Sequence, residues 1–362
     1  MNSNLDPNLK VDSSKLTTVA EELRAELAFK QRELNISVGF ACNANSAKDL
    51  YKVFIEKYKQ VPIKLRKGGR PSFSSDVVRK YDTPVTELVL KMKNLMAREK
   101  YLRIFEKHVD QGYIHYSWQM KSVTGRIYAE KPNVLSFPGE LRKCIIPESD
   151  KVYIGFDIKN EELTIIAYLT ECRGLIDDIK AGSDVFGELS AATGVARHDV
   201  KTAVYAYAYG SDSSRIASKI YEKEEIVDRV LALLYKKYPE LSKWRKVPQQ
   251  VEAAGHSTSI YGETYTIDKN SPDLNKEVRR AVNFIVQSSA ASILKNFIKQ
   301  FSESDVNGSI KVCVFDSVVI ETERPEDVRH FVKEFFSKCL SGILQYDLKQ
   351  GKSWYEVWAS IK

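Results

Sequence analysis

Apolar positions along the chain recur first at helical and then at strand spacing. Leu16, Val19, Leu23 and Leu27 predict a helix over 16–34, with Ser13 and Ser14 as candidate caps. Leu50, Val53, Phe54 and Tyr58 predict a second over 47–58. Val85, Leu88, Val89, Met92, Leu95 and Met96 predict a long third, starting at Pro84 and capped by Thr83. From Tyr113 to Gln119 the pattern turns β-like and aromatic. Val152 to Phe156 reads as a buried strand ending at Asp157, and a helix follows from Glu161 to Leu169. Residues 184–250 read as several helices, 255–267 as a hairpin around Tyr261-Gly262, and 274–301 as a long helix. Ile310 to Glu321 predicts a β-hairpin turning at Phe315-Asp316-Ser317. A helix from Glu326 to Leu340 and a short aromatic tail follow. The polar residues 1–12 predict no ordered structure. No repeat or low-complexity linker intervenes, so the pieces read as lobes of one body.

One predicted helix carries chemistry on its face. Arg197, Lys201, Tyr205 and Tyr209 recur every four residues. At about 100° per residue each step drifts ~40°, so all four share one slanted stripe. Two cations followed by two aromatics suit a ligand with a polyphosphate tail and a flat head, such as a nucleoside triphosphate. Gly210 then permits the turn that ends the helix. Taken alone, the tyrosines also read as a core aromatic stripe.

The 362 residues carry a net charge of +7, with 43% hydrophobic and 28% charged positions. That fits a globular protein with a polyanionic partner. The basic turn from Lys64 to Arg70 suits phosphates or a solvated loop. Five cysteines lie far apart without a CxxC pair, which argues for reduced thiols rather than disulfides or zinc. No apolar run reaches the ~18 residues of a membrane span, and the polar start is not a signal peptide. The expected location is cytoplasmic.

Asp157 and Asp316 each end or interrupt an apolar strand, where a carboxylate is costly to bury. Two such carboxylates brought together call for a divalent cation, and magnesium prefers carboxylates, waters and phosphates. Taken singly, Asp316 also reads as a turn residue and Asp157 as a helix cap.

The motifs together resemble the polymerase region of family A DNA polymerases, those like bacterial DNA polymerase I. Asp157-Ile-Lys-Asn-Glu-Glu162 resembles that family's Asp-Tyr-Ser-Gln-Ile-Glu. Arg197 to Gly210 matches Arg-x3-Lys-x3-(Phe/Tyr)-x3-Tyr-Gly at every defined position. Phe315-Asp316-Ser317 stands where the family has His-Asp-Glu. Thr124-Gly-Arg126, with Pro132-Asn133 and Pro138, resembles its Thr-Gly-Arg run. Asn283-x3-Gln287 and Lys295 resemble its Asn-x3-Gln-Gly…Lys helix.

The resemblance implies an α+β right-hand fold. It implies a helical thumb (1–112), a palm with an antiparallel sheet (113–171 and 273–362) and helical fingers (172–272). It implies template-directed addition of deoxynucleoside triphosphates to a primer 3′-OH. Asp157, Asp316 and the Ile158 carbonyl would hold two Mg2+ ions, with Mn2+ as a substitute. Arg197 and Lys201 would bind the triphosphate, Tyr205 would pack near sugar and base, and Tyr209 would abut the templating position. Glu162 would exclude a ribose 2′-OH. Arg126, Asn283 and Gln287 would contact the minor-groove edge of the primer–template DNA.

Phe315, Ser317 and Phe186 depart from the family, as do Glu263-Thr264, where Arg-Arg is usual. Ser317 keeps a single-subunit RNA polymerase in view, against which Glu162 argues. The lost His and Glu keep a non-catalytic DNA-binding scaffold in view, against which the two aspartates argue. The chain starts at the expected thumb. No exonuclease domain is therefore expected, and separate exonuclease or processivity proteins become candidate partners.

Overall fold

The computed structural model describes residues 5–66, 68–120 and 122–358. At its centre lie four antiparallel strands in the order Ser309–Val314, Ser317–Thr322, Val152–Lys159 and Gln345–Gly351. Alternation along Val152–Lys159 decides what each face does. Ile154, Phe156 and Ile158 enter the larger core. There the Phe156 ring meets Phe297 at 4.8 Å and Phe336 at 5.2 Å. Tyr153 enters a second core on the other face. Gly155 shares that face, and a Cβ there would lie 2.8 Å from Val357 Cβ, so only glycine fits. By the same alternation Asp157 stands on the Gly155 side, away from the phenylalanines.

Two helical bodies flank this sheet. One contains Ser13–Val38, Ala47–Tyr51 and Thr86–His108, packed around a third core that includes Phe54, Tyr81 and Met92. The other runs from Val185–Thr193 to Val247–Ala254 and includes the two-cation helix Arg197–Ala208. They touch at Tyr221, whose hydroxyl donates to Asp76 Oδ2 at 3.2 Å while Lys80 sits over its ring. The long helix Leu274–Glu303 packs behind the sheet through Phe297 and Phe301.

Several expectations change in detail. Asp12, not Ser13 or Ser14, caps the first helix, accepting the Lys15 N–H. The second helix continues past Tyr51 as a π-helix over Lys52–Lys57. The third begins at Thr86 after Val85, and Thr83 bonds the Thr86 hydroxyl instead of capping the backbone. The strand expected to end at Phe156 runs on to Lys159.

The expectation of no order over 1–12 fails for Asn8–Val11. That segment pairs with Tyr113–His115 and with Ile145–Ile146, and Leu9 is fully buried. Residues 1–4 lie outside the described residues. The tail is not merely aromatic: Gln345–Gly351 forms the fourth strand of the central sheet and Trp354–Trp358 a short helix. All five cysteines are free and buried, and burial pushes the Cys42 and Cys144 thiols up to about 11. Among the described residues no helix is long and apolar enough to cross a membrane.

Candidate active site

The hairpin turn brings two distant carboxylates to one corner. Ser317 pairs directly with Asp157 across the strands, and Ile158 N–H donates to the Asp316 carbonyl at 3.0 Å. Asp316, in the turn just before strand Ser317–Thr322, therefore sits beside the end of the Asp157 strand although the two are far apart in sequence. On the other side of Asp157 stands Asp347, held by Lys159 at 2.7 Å. The turn is tight: Phe315 adopts φ 51°, in the left-handed region. That conformation leaves its ring 48% exposed. The Arg126 guanidinium lies over it at 5.3 Å.

Helix Arg197–Ala208 presents its stripe as the sequence predicts. Arg197, Lys201, Tyr205 and Tyr209 line one open groove of about 760 Å³. Gly210 follows with φ 83°. Lys201 and Tyr205 also line a second cavity of about 270 Å³, whose opposite wall is Asp316, Glu162 and Arg126. Lys201 and Tyr205 thus link the groove on the cationic helix to the cavity at Asp316. The Tyr205 ring packs on the buried Phe186 ring at 5.7 Å, and Arg197 and Lys201 each sit 6.0 Å from that ring. Burial raises the Tyr205 and Tyr209 hydroxyls above the usual tyrosine range, with the Glu162 charge adding to it. Trp244 Nε1 donates to Ala208 O at 2.8 Å and anchors the helix end.

The structure ties several of these side chains to partners the sequence did not reveal. Arg197 forms a two-pronged ion pair with Asp184, both contacts at 2.8 Å. Glu162 accepts from Arg126 Nη2 at 2.8 Å, so the expected sugar gate is held by the expected minor-groove arginine. Asn283 and Gln287 lie one turn apart on Leu274–Glu303 but line neither cavity. Asn283 Oδ1 is buried without a partner. Lys295 presses its ammonium against Gly125. Sequence reasoning passed over Asp184, Asp347 and Glu161. Glu161 is buried beside Asp316, Glu162 and Asp157; loss of solvent, then their like charge, raises its carboxyl well above the ordinary range.

The departures also have structural accounts. Ser317 is buried and donates to Val314 O at 3.1 Å, so it faces its own hairpin. Glu263 accepts the Ser259 and Ser292 hydroxyls, clasping the 256–266 hairpin to the long helix.

Comparison with known proteins gives this geometry a family. The sequence pattern of DNA polymerase family A matches residues 13–356. The chain belongs to DNA polymerase family A. It is 25% identical over 382 aligned residues to DNA polymerase I of Lactococcus lactis subsp. cremoris, covering 96% of this chain and 43% of that protein. It is 24% identical over 264 residues to DNA polymerase theta of Caenorhabditis elegans, covering 68% of this chain and 16% of that protein. The chain therefore spans less than half the length of these curated relatives. In structure it is similar to the POL domain of Pol1 from M. smegmatis, solved in complex with DNA primer-template and dNTP. The TM-score is 0.84 at 20% identity, covering 96% of this chain and 68% of that one. The mixed α+β fold is thus the right-hand polymerase architecture. Of the three departures from the family motifs, Phe186 and Ser317 are buried and Phe315 is exposed.

Proposed function

We propose that this chain is a template-directed DNA polymerase that adds deoxynucleoside triphosphates to a primer 3′-OH. One observation carries the reading: two cavities that share Lys201 and Tyr205 place a pair of cations at one end and, at the other, Asp316, which the strand register sets beside Asp157. Family membership and the DNA-bound structural relative support it. The helical body of residues 1–112 is the thumb, 113–171 and 273–362 the palm, and 172–272 the fingers.

Asp157, Asp316 and the Ile158 carbonyl are the proposed metal ligands. Among the described residues no three His, Cys, Asp or Glu side chains close into a cage. That suits magnesium, which binds one or two carboxylates and completes its shell with water and substrate phosphates. Bound there, two ions would activate the attacking hydroxyl and stabilise the leaving oxygen. Mn2+ supports the same chemistry in this reading. Lys201 neutralises the triphosphate, and Arg197 joins it by exchanging Asp184 for phosphate. Tyr205 lies against sugar and base, and Tyr209 closes the templating side. Arg126, Asn283 and Gln287 contact the minor-groove edge.

Two expectations follow for the sugar pocket. Glu162→Ala removes the carboxylate that fills the 2′-OH space and frees Arg126. Ribonucleotide use relative to deoxynucleotide use is expected to rise by about tenfold or more in single-nucleotide incorporation. An unchanged ratio would move the gate elsewhere. A dideoxynucleotide lacks the 3′-OH that bonds its own phosphate oxygen, and a phenolic hydroxyl can substitute as donor. The wild type is expected to take both nucleotides nearly equally, and Tyr205→Phe to discriminate by about 10- to 100-fold. Equal ratios in both proteins would place the Tyr205 hydroxyl outside the sugar pocket.

Primer extension with deoxy- or ribonucleotides, with and without magnesium, tests the function itself. Deoxynucleotide-dependent, magnesium-dependent extension is expected. A preference for ribonucleotides would make the chain an RNA polymerase.

A further inference from the structure

Glu161 has no part in the mechanism above. It opens the helix Glu161–Thr170 and is 5% exposed. Its Oε1 is sealed from solvent with no hydrogen-bond partner. Such an orphaned acceptor is costly, because water has been removed and nothing replaces it. Arg126 offsets this only in part by its charge, since its ion pair is with Glu162. Like-charged neighbours make matters worse: Asp157, Asp316 and Glu162 all bear on it. Yet Glu161 lines the same 270 Å³ cavity as Asp316 and Glu162. A cation in that cavity would reverse the sign of the whole cluster.

The Ser317 hydroxyl donates to Val314 O within its own hairpin. Asp347 and Glu162 are already engaged by Lys159 and Arg126, while a magnesium ion retains waters that need acceptors. Glu161 is an acceptor without a donor beside a site whose ligands would be donors without acceptors. Direct ligation is not the better fit, as no three acidic side chains there close into a cage.

We propose that Glu161 is an outer-sphere ligand of the divalent-metal site, accepting a hydrogen bond from a water in the metal's hydration shell. This rests on the metal reading of Asp157 and Asp316 above. Glu161 is then a positioning residue: it orients the hydration shell and strengthens metal binding without touching substrate.

The test is Mn2+ titration of the full chain, following free Mn2+ by its EPR signal, with thermal melts of metal-free protein alongside. Partners of this kind tune metal affinity by about 10- to 100-fold, so Glu161→Leu is expected to weaken Mn2+ binding at least about tenfold. Glu161→Gln keeps the shape and one acceptor oxygen but not the charge, and is expected to weaken it at least about threefold. Both should melt at or above the wild-type temperature without metal, because each removes a buried unsatisfied carboxylate. Should the Leu protein fail to fold, the Gln protein decides. Wild-type affinity in a folded variant overturns the Glu161 assignment alone. Absence of Mn2+ binding by the wild type overturns the metal reading and this inference together.

Discussion

Asp316→Ala is expected to lower single-nucleotide incorporation by at least about 10³-fold, roughly 4 kcal/mol of barrier. The reason lies in the corner's geometry. Asp316 sits at a turn pinned by the Ile158 N–H and by the Ser317–Asp157 register. Two of the nearby carboxylates are engaged elsewhere: Asp347 is held by Lys159, and Glu162 by Arg126. Primer–template affinity should change little, because affinity for DNA generally rests on phosphate contacts rather than on a single carboxylate. Asp157→Ala should behave alike. Incorporation within about tenfold of wild type, with a folded variant, would contradict the metal assignment.

The second large effect is expected at Lys201. Of the stripe's two cations, Lys201 lines both the open groove and the carboxylate cavity, and Arg197 lines the groove alone. Arg197 begins in an ion pair with Asp184 and must exchange it. Lys201→Ala should therefore lower kcat/KM for a nucleotide by about 10²- to 10³-fold, the usual loss on removing a preorganised charge from a transferring phosphoryl group. A loss confined to KM would mean that Lys201 binds the ground state and transition state equally. Asp184→Ala offers a contrast. It frees Arg197, so nucleotide KM should fall or stay level while the Lys201 effect persists.

What the sequence made legible was local. The four-residue stripe from Arg197 to Tyr209 is a property of one helix, and periodicity finds it. The 309–322 hairpin and the 256–266 hairpin are likewise short-range, and turn residues mark them. What it hid was pairing at long range. Gln345–Gly351 reads as polar because its side chains stay half-buried on both faces, so no alternation betrays the strand. Asn8–Val11 is ordered by partners more than a hundred residues away. Asp184 pairing with Arg197 lies across a helix–helix turn and carries no motif. Glu161 stands in the first turn of its helix, where the backbone dipole favours any acid, and no pattern marks it out. Only packing shows that its carboxylate is buried among its own kind.

Incorporation is expected to be directed by a template and carried out at the Asp157–Asp316 corner. The most direct measurement is single-nucleotide extension of one primer on four templates that differ only in the next base, with magnesium and each deoxynucleotide in turn. The account predicts that the complementary nucleotide is added on each template, and that Asp316→Ala abolishes all four additions while still binding the primer–template. Addition that ignores the template base, or that survives in Asp316→Ala, would contradict it.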